Sequence, residues 1–257
     1  MSTGAEKPFV PVPSDDPRHG GIAFGKKPSV WGNLLYYFFR FALIVFGRTY
    51  LRMRRRNHRR MPDGPVILAP AGHRSNLDTP LIGAVAPRRL NYMAKSSLFK
   101  SPSWTWMLTA IGGFPTERDR VDRRALRCAR EVLRRGEPLV VFPEGERKSG
   151  PRVQPLFDGP VWLSVMTGAP ILPVGIGGSE HAMPKGALLP RFVRVRFIFG
   201  EPIPPPAPAE GRRTVTAVQR GEASAELRAI LQQLFDEAQV WAGTPNPPSQ
   251  DTGDAED

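Results

Sequence analysis

A histidine five residues ahead of an aspartate, in the stretch "AGHRSNLD" from Ala71 to Asp78, has the residue types and spacing for acid–base chemistry. Histidine is the side chain best matched to general-base work near neutral pH. A carboxylate on its other ring nitrogen fixes the tautomer and stabilises the imidazolium as it forms. His73 and Asp78 are therefore the candidate catalytic pair. The competing reading makes His73 a turn residue and Asp78 the N-cap of a helix beginning "TPLIGAV", with Pro80 in its first turn. Ser75 offers a third reading, a covalent nucleophile, but its place between the pair leaves little room for it to face one ring nitrogen while Asp78 holds the other. A second stretch, "VVFPEGERKSG", also leaves an apolar run and turns through Gly145, with Glu144, Glu146 and Arg147 at the turn. "IGGFPTERD" adds Arg118 and "MAKSSLF" adds Lys95. Lys95, Arg118 and Arg147 thus occupy loops that can converge on one anion, arginine being suited to bidentate phosphate contact. Each of the three, taken singly, also reads as a solvated surface charge.

The elements that must position these residues follow from periodicity. "PVILAP", "LNYMA", "PLVVFP" and "APILPVGI" are short apolar runs bounded by turn residues, as buried strands require. "FVRVRFIFG" alternates, which predicts a strand with one wetter face. Ala125, Leu126, Ala129, Val132 and Leu133 recur at helical spacing with arginines on the opposite side, and Leu227, Ile230, Leu231, Leu234, Phe235 and Ala238 do the same nearer the C-terminus. The predicted fold is α/β, with a mostly buried central sheet flanked by helices and the chemistry at loops that leave the strands.

Ahead of this lies "VWGNLLYYFFRFALIVF", Val30 to Phe46, at the short limit for a membrane span of roughly 17 residues. Arg40 sits in its middle, where a charge costs about 2.5–3.5 kcal/mol on insertion scales. The sequence therefore favours a helix lying in the interface over a span or a buried soluble helix, with Trp31, Tyr36 and Tyr37 at headgroup depth. The arginines of "GRTYLRMRRRNHRR" would then rest on anionic lipid. The expected division is a flexible arm at 1–29, the membrane-associating helix and basic flank at 30–60, the α/β domain at 61–242 and an acidic disordered tail at 243–257. Residues 1–29 do not read as a signal peptide, because the apolar run starts late and leads into arginines.

Composition removes other classes. The formal net charge of +12 calls for an anionic partner, and a lone cysteine, Cys128, excludes an intramolecular disulfide framework. The basic runs lack the interleaved aromatics of a single-strand platform, so nucleic acid is not expected. There is no G-x-S-x-G elbow and no H-E-x-x-H zinc motif, and "GGIAFGKK" has Lys27 where a P-loop needs Ser or Thr.

Four blocks in order, "HRSNLD", "GGFPTER", "FPEGER" and "APILPVGI", resemble those of the glycerophospholipid acyltransferase family, of the lysophosphatidic acid (1-acylglycerol-3-phosphate) acyltransferase type. They span Val66 to Ile176. The resemblance implies a glycerol-3-phosphate acyltransferase-like fold in which His73, oriented by Asp78, deprotonates a glycerol hydroxyl of a lysophospholipid. That hydroxyl would attack an acyl-CoA or acyl carrier protein thioester, with no metal, cofactor or acyl-enzyme. It also implies that Glu144, Gly145 and Arg147 bind the glycerol phosphate, joined by Lys95 and Arg118. The basic flank behind the apolar helix would hold the remainder of the chain on the cytoplasmic side of the membrane. Glu146, where the family commonly has threonine, and Glu117 depart from the pattern. Added negative charge there points to an acceptor other than lysophosphatidic acid unless neighbouring cations neutralise it. A silent lipid-binding protein of the same fold is the alternative to an enzyme.

Overall fold

The computed structural model describes residues 30–116, 122–184 and 186–247. The arm at 1–29, Glu117, Arg118, Lys185 and the last ten residues lie outside the described residues, and with them the expectations that fall there.

The elements run α1 (Val30–Thr49), β1 (Arg54–Arg56), β2 (Val66–Ala71), α2 (Asp78–Val85), β3 (Asn91–Lys95), α3 (Pro102–Ala110), β4 (Gly113–Thr116), α4 (Arg123–Arg134), β5 (Pro138–Val140), α5 (Gly159–Thr167), β6 (Ile171–Gly177), α6 (Ser179–Ala182), β7 (Arg196–Phe199) and α7 (Ala217–Ala242). Seven strands form one sheet in the order β1-β7-β6-β2-β5-β3-β4. Only the β6–β7 pair is antiparallel. The parallel strands β2, β5, β3 and β4 therefore end on one edge, and the polar loops singled out in the sequence all leave from it. Sheets of this kind place ligands there because the strand ends and following helix starts leave a crevice.

Both faces of the sheet are covered at β2, β5, β6 and β7, whereas β3, expected as a buried strand, is only half-buried because it lies towards the edge of the sheet beside β4. Ile67, Ala69 and Ala71 of β2 point to a cluster built with α4, α5 and α7, while Val66 and Leu68 point to a second cluster with α2 and the segment around Leu51. Burial on both sides explains the near-continuous apolar runs. The expected alternation of β7 is not observed: all four residues from Arg196 to Phe199 are buried, because α7 covers one face and the Leu51–Met53 segment the other. Arg196 tolerates this by donating to the carbonyls of Arg52 and Val195 and lying over the Trp241 ring. The helix around Leu227 is also longer than its apolar face alone indicated. It starts at a capping box in which Thr216 accepts from the Gln219 amide. At Gly175 and Gly177 any Cβ would overlap the α7 backbone at Leu234 and Ala238, so these glycines let α7 lie directly on β6.

Helix α1 is the one described helix long and apolar enough to cross a membrane, and little of it is buried. Leu34 (61% exposed), Phe38 (64%) and Phe41 (67%) form an uncovered apolar surface. Two expectations for this helix need correction. Tyr36 is not at the outer surface but buried, with its hydroxyl accepting from the Leu90 amide. Arg40 faces inward too, donating to the Ala86 carbonyl at the end of α2. Packing on α2 thus removes the arginine from the lipid-facing side. Trp104 and Trp106 of α3, which touches α1, extend the exposed apolar surface. Residues 54–56, expected ahead of the domain, are built into it as the edge strand β1.

Candidate active site

The loop between β2 and α2 wraps around one carboxylate. Asp78, fully buried as the first residue of α2, accepts at Oδ2 from His73 Nδ1 (3.0 Å), the Arg74 amide (2.9 Å) and the Ser75 amide (2.8 Å). A carboxylate only accepts, so Nδ1 is the donor, and in the neutral imidazole Nε2 keeps its lone pair. No described protein group hydrogen-bonds to Nε2. The carboxylate does not serve as the cap of α2, which the turn reading required, since that cap position is Leu77 without a side-chain bond. Ser75 is buried with its hydroxyl donating to the Met183 carbonyl (2.9 Å) and accepting from the Leu77 amide (3.2 Å), so it is directed away from chemistry.

The loop after β5 closes over the histidine. Phe142 stacks on the His73 ring at 4.0 Å between centroids, and the Lys148 amide donates to the His73 carbonyl at 3.0 Å. Between these two anchors the chain reverses at Gly145, whose φ of 74° lies in the left-handed region and whose missing Cβ leaves room for the Phe157 ring. Glu144 does not face open space. Its carboxylate takes the buried Arg74 Nη1 at 3.0 and 3.2 Å and the amide of the half-buried Gln154 at 3.1 Å. Arg74 in turn donates to the carbonyls of Gly150 and Arg152. This buried pair was missed in the sequence, where Arg74 reads as one of many arginines; its position inside the His–Asp loop was the only signal.

Of the expected anion-binding residues, Arg147 is half-buried in the same loop as Gly145, and Lys95 is exposed at the end of β3, opposite Thr116. The sheet order sets Lys95 two strands from β2, about 10 Å along the edge. Arg118 follows β4 but lies outside the described residues. Glu146 is exposed and paired with Lys148 at 2.8 Å, so its charge has the neutralising neighbour that its departure from the pattern required.

A cleft of about 900 Å³ opens against Phe142 and Gly145. Met93, Leu126, Val141, Phe157 and Trp162 make it apolar, while Arg123, Arg127 and Arg130 of α4 make one wall basic. The sequence pattern read these arginines as the solvated side of α4; their spacing puts them on one face, and the tertiary fold turns that face into the cleft. No group of three or more metal-ligating side chains exists among the described residues.

Comparison with known proteins gives the family and the fold. A family model described as Acyltransferase matches residues 52–177. The chain is 27% identical over 148 residues to a 1-acyl-sn-glycerol-3-phosphate acyltransferase of Bacillus subtilis, covering 57% of this chain and 71% of that protein. The match to a chloroplastic protein of the same description from Brassica napus, also 27% identical, covers 55% of this chain but only 41% of that relative. A lyso-ornithine lipid O-acyltransferase of Pseudomonas aeruginosa is 32% identical over 117 residues, covering 44% of each. The crystal structure of the 1-acyl-sn-glycerophosphate acyltransferase PlsC from Thermotoga maritima superposes with a TM-score of 0.61 at 27% identity, covering 77% of this chain and 80% of that one. An α/β sheet flanked by helices, an apolar helix ahead of it and the matched blocks make this chain a member of the glycerophospholipid acyltransferase family, 1-acyl-sn-glycerol-3-phosphate acyltransferase-like.

Proposed function

We propose that this protein transfers a fatty acyl group from an acyl thioester, acyl-CoA or acyl carrier protein, to a hydroxyl of lysophosphatidic acid or a related lysophospholipid. The observation that carries the reading is the His73 ring, fixed by a buried carboxylate at Nδ1 and with Nε2 unshared, beside an apolar cleft with a basic wall. In the forward step Nε2 takes the proton of the acceptor hydroxyl as its oxygen attacks the thioester carbonyl carbon. Asp78 stabilises the resulting imidazolium. Collapse of the tetrahedral intermediate breaks the carbon–sulfur bond, and the leaving thiolate recovers the proton from the imidazolium. The products are the ester and the free thiol, and no acyl-enzyme forms. Gly145 and Arg147 lie on the loop that meets the glycerol phosphate, with Lys95 contributing from the same sheet edge and Arg118, two residues after β4 in the sequence, joining them. Glu144 acts behind them by holding Arg74 and hence the loop. Helix α1 lies in the membrane interface on its Leu34, Phe38 and Phe41 side, with the catalytic domain on the cytoplasmic face, and the acceptor enters laterally.

The test is transfer of labelled palmitate from palmitoyl-CoA to lysophosphatidic acid, other lysophospholipids, lyso-ornithine lipid and glycerol phosphate. Wild type, His73→Ala and Asp78→Asn are compared in membranes. Loss of about 10²–10⁴-fold in both variants with circular dichroism unchanged is expected. Equal transfer by wild type and His73→Ala would reject the mechanism, and the best acceptor names the substrate.

A further inference from the structure

The edge strand β1 is three consecutive arginines, Arg54–Arg56. Strand alternation sends Arg55 to one face of the sheet and its two neighbours to the other. On the first face Arg55 donates to the Val85 carbonyl, close to where Arg40 of α1 donates to Ala86. On the second, Arg56 lies 4.0 Å and Arg196 5.1 Å from the centre of the Trp241 ring. A cleft of about 1200 Å³ wraps this edge, and Arg48, Arg52 and Arg194 line it as well. No carboxylate lines it among the described residues. The Nε of the buried Arg196 has no hydrogen-bond partner among the described residues. Crowding registers in the ionisation of the groups: Arg55 and Arg196 are held below the usual guanidinium range, first by burial and then by neighbouring arginines. Charges on an edge strand discourage pairing with other chains, which accounts for β1. It does not account for cations converging from α1, the segment before β1 and the segment before β7.

We propose that this cleft is a headgroup site for an anionic phospholipid of the membrane on which α1 lies, its phosphate seated among the guanidinium groups. The proposal rests on the interfacial reading of α1. Arg40, Ile44 and Arg48 of α1 form one wall, and the same helix carries the exposed Leu34, Phe38 and Phe41, so an acyl chain leaving the cleft meets apolar surface. The occupant is not the acceptor. Strand β1 lies three strands from β2, about 14 Å across the sheet, too far for a short glycerol arm to reach His73. A bound lipid here orients the catalytic edge towards the bilayer.

The test is sedimentation of the full chain with phosphatidylcholine vesicles with and without phosphatidylglycerol. The variant is Arg48→Gln/Arg54→Gln, two exposed arginines whose side chains make no hydrogen bond among the described residues. The control is Arg212→Gln/Arg213→Gln, the same charge change near the far end of α7, on the order of 35 Å from Trp241. Each cleft charge removed should weaken binding to phosphatidylglycerol vesicles about fivefold, roughly 25-fold for the pair. The control should lose less than about threefold, and binding to phosphatidylcholine alone should be unchanged. Equal losses in the two variants would reduce the cleft to diffuse attraction and overturn the site. Inorganic phosphate that erases the phosphatidylglycerol preference at constant ionic strength would place a free anion there instead and likewise overturn it. Failure of wild type to bind phosphatidylcholine vesicles would overturn the reading of α1 and with it the proposal, a result distinguishable from loss of the headgroup preference alone.

Discussion

Replacing Glu144 separates two roles for a residue whose motif points to substrate and whose surroundings point to the loop. Its carboxylate lies 3.0 Å from Arg74 Nη1, and both side chains are about 1% exposed. At an effective dielectric of about 20, that separation corresponds to a gross attraction of about 5.5 kcal/mol. Much of this offsets the desolvation of the two ions, yet removing one partner strands the other charge, which costs about 3–5 kcal/mol. Glu144→Gln should therefore lower the unfolding midpoint by about 6–20 °C, since about 1 kcal/mol moves a chain of this size by roughly 2–4 °C. Arg74→Met should do the same, because its contacts to Gly150 and Arg152 are lost as well. The double variant has no stranded charge and should recover about 2–3 kcal/mol relative to the sum of the single effects. Thermal unfolding of detergent-solubilised protein, run as a double-mutant cycle, reads this coupling. Additivity within about 0.5 kcal/mol, with Glu144→Gln raising only the KM for acceptor, would refute the reasoning and return Glu144 to direct substrate contact.

Leu34→Asp/Phe38→Asp/Phe41→Asp should leave the fold intact, because all three side chains are exposed, while reducing membrane partitioning by more than about 100-fold at about 1.5–3 kcal/mol per buried side chain. Carbonate extraction and circular dichroism check it, and retention on membranes would move the anchor elsewhere. Cys128 is half-buried, and burial raises its thiol pKa above the ordinary value. Its thiolate fraction at pH 7.5 is then below that of a free cysteine, so iodoacetamide should label it more slowly and the rate should rise with pH up to the raised pKa. Labelling as fast as a free thiol at pH 7.5 would contradict that burial.

Five of the seven strands (β2, β3, β5, β6 and β7), the helix over Arg123–Arg134, the candidate pair and the family were legible in the sequence, because these rest on local information, whereas β1 and β4, short and lacking an apolar run of their own, were not. Apolar runs between turn residues specified β2, β5 and β6, which are buried throughout, and a histidine and an aspartate five residues apart meet within a single loop. What required the tertiary structure were the relations between distant segments. Arg74 and Glu144 are 70 positions apart and become a buried pair only because β2 and β5 are neighbours in the sheet. The alternation in "FVRVRFIFG" predicted a wet face, but covering by α7 and the Leu51 segment buried it. Tyr36 and Arg40 read as interfacial until α2 supplied a surface for them. The arginines of β1 read as the basic flank of the membrane-associating helix until pairing with β7 made them an edge strand beside Trp241. In each case the side chain's chemistry was legible in the chain, whereas which partner it meets depends on which elements pack together.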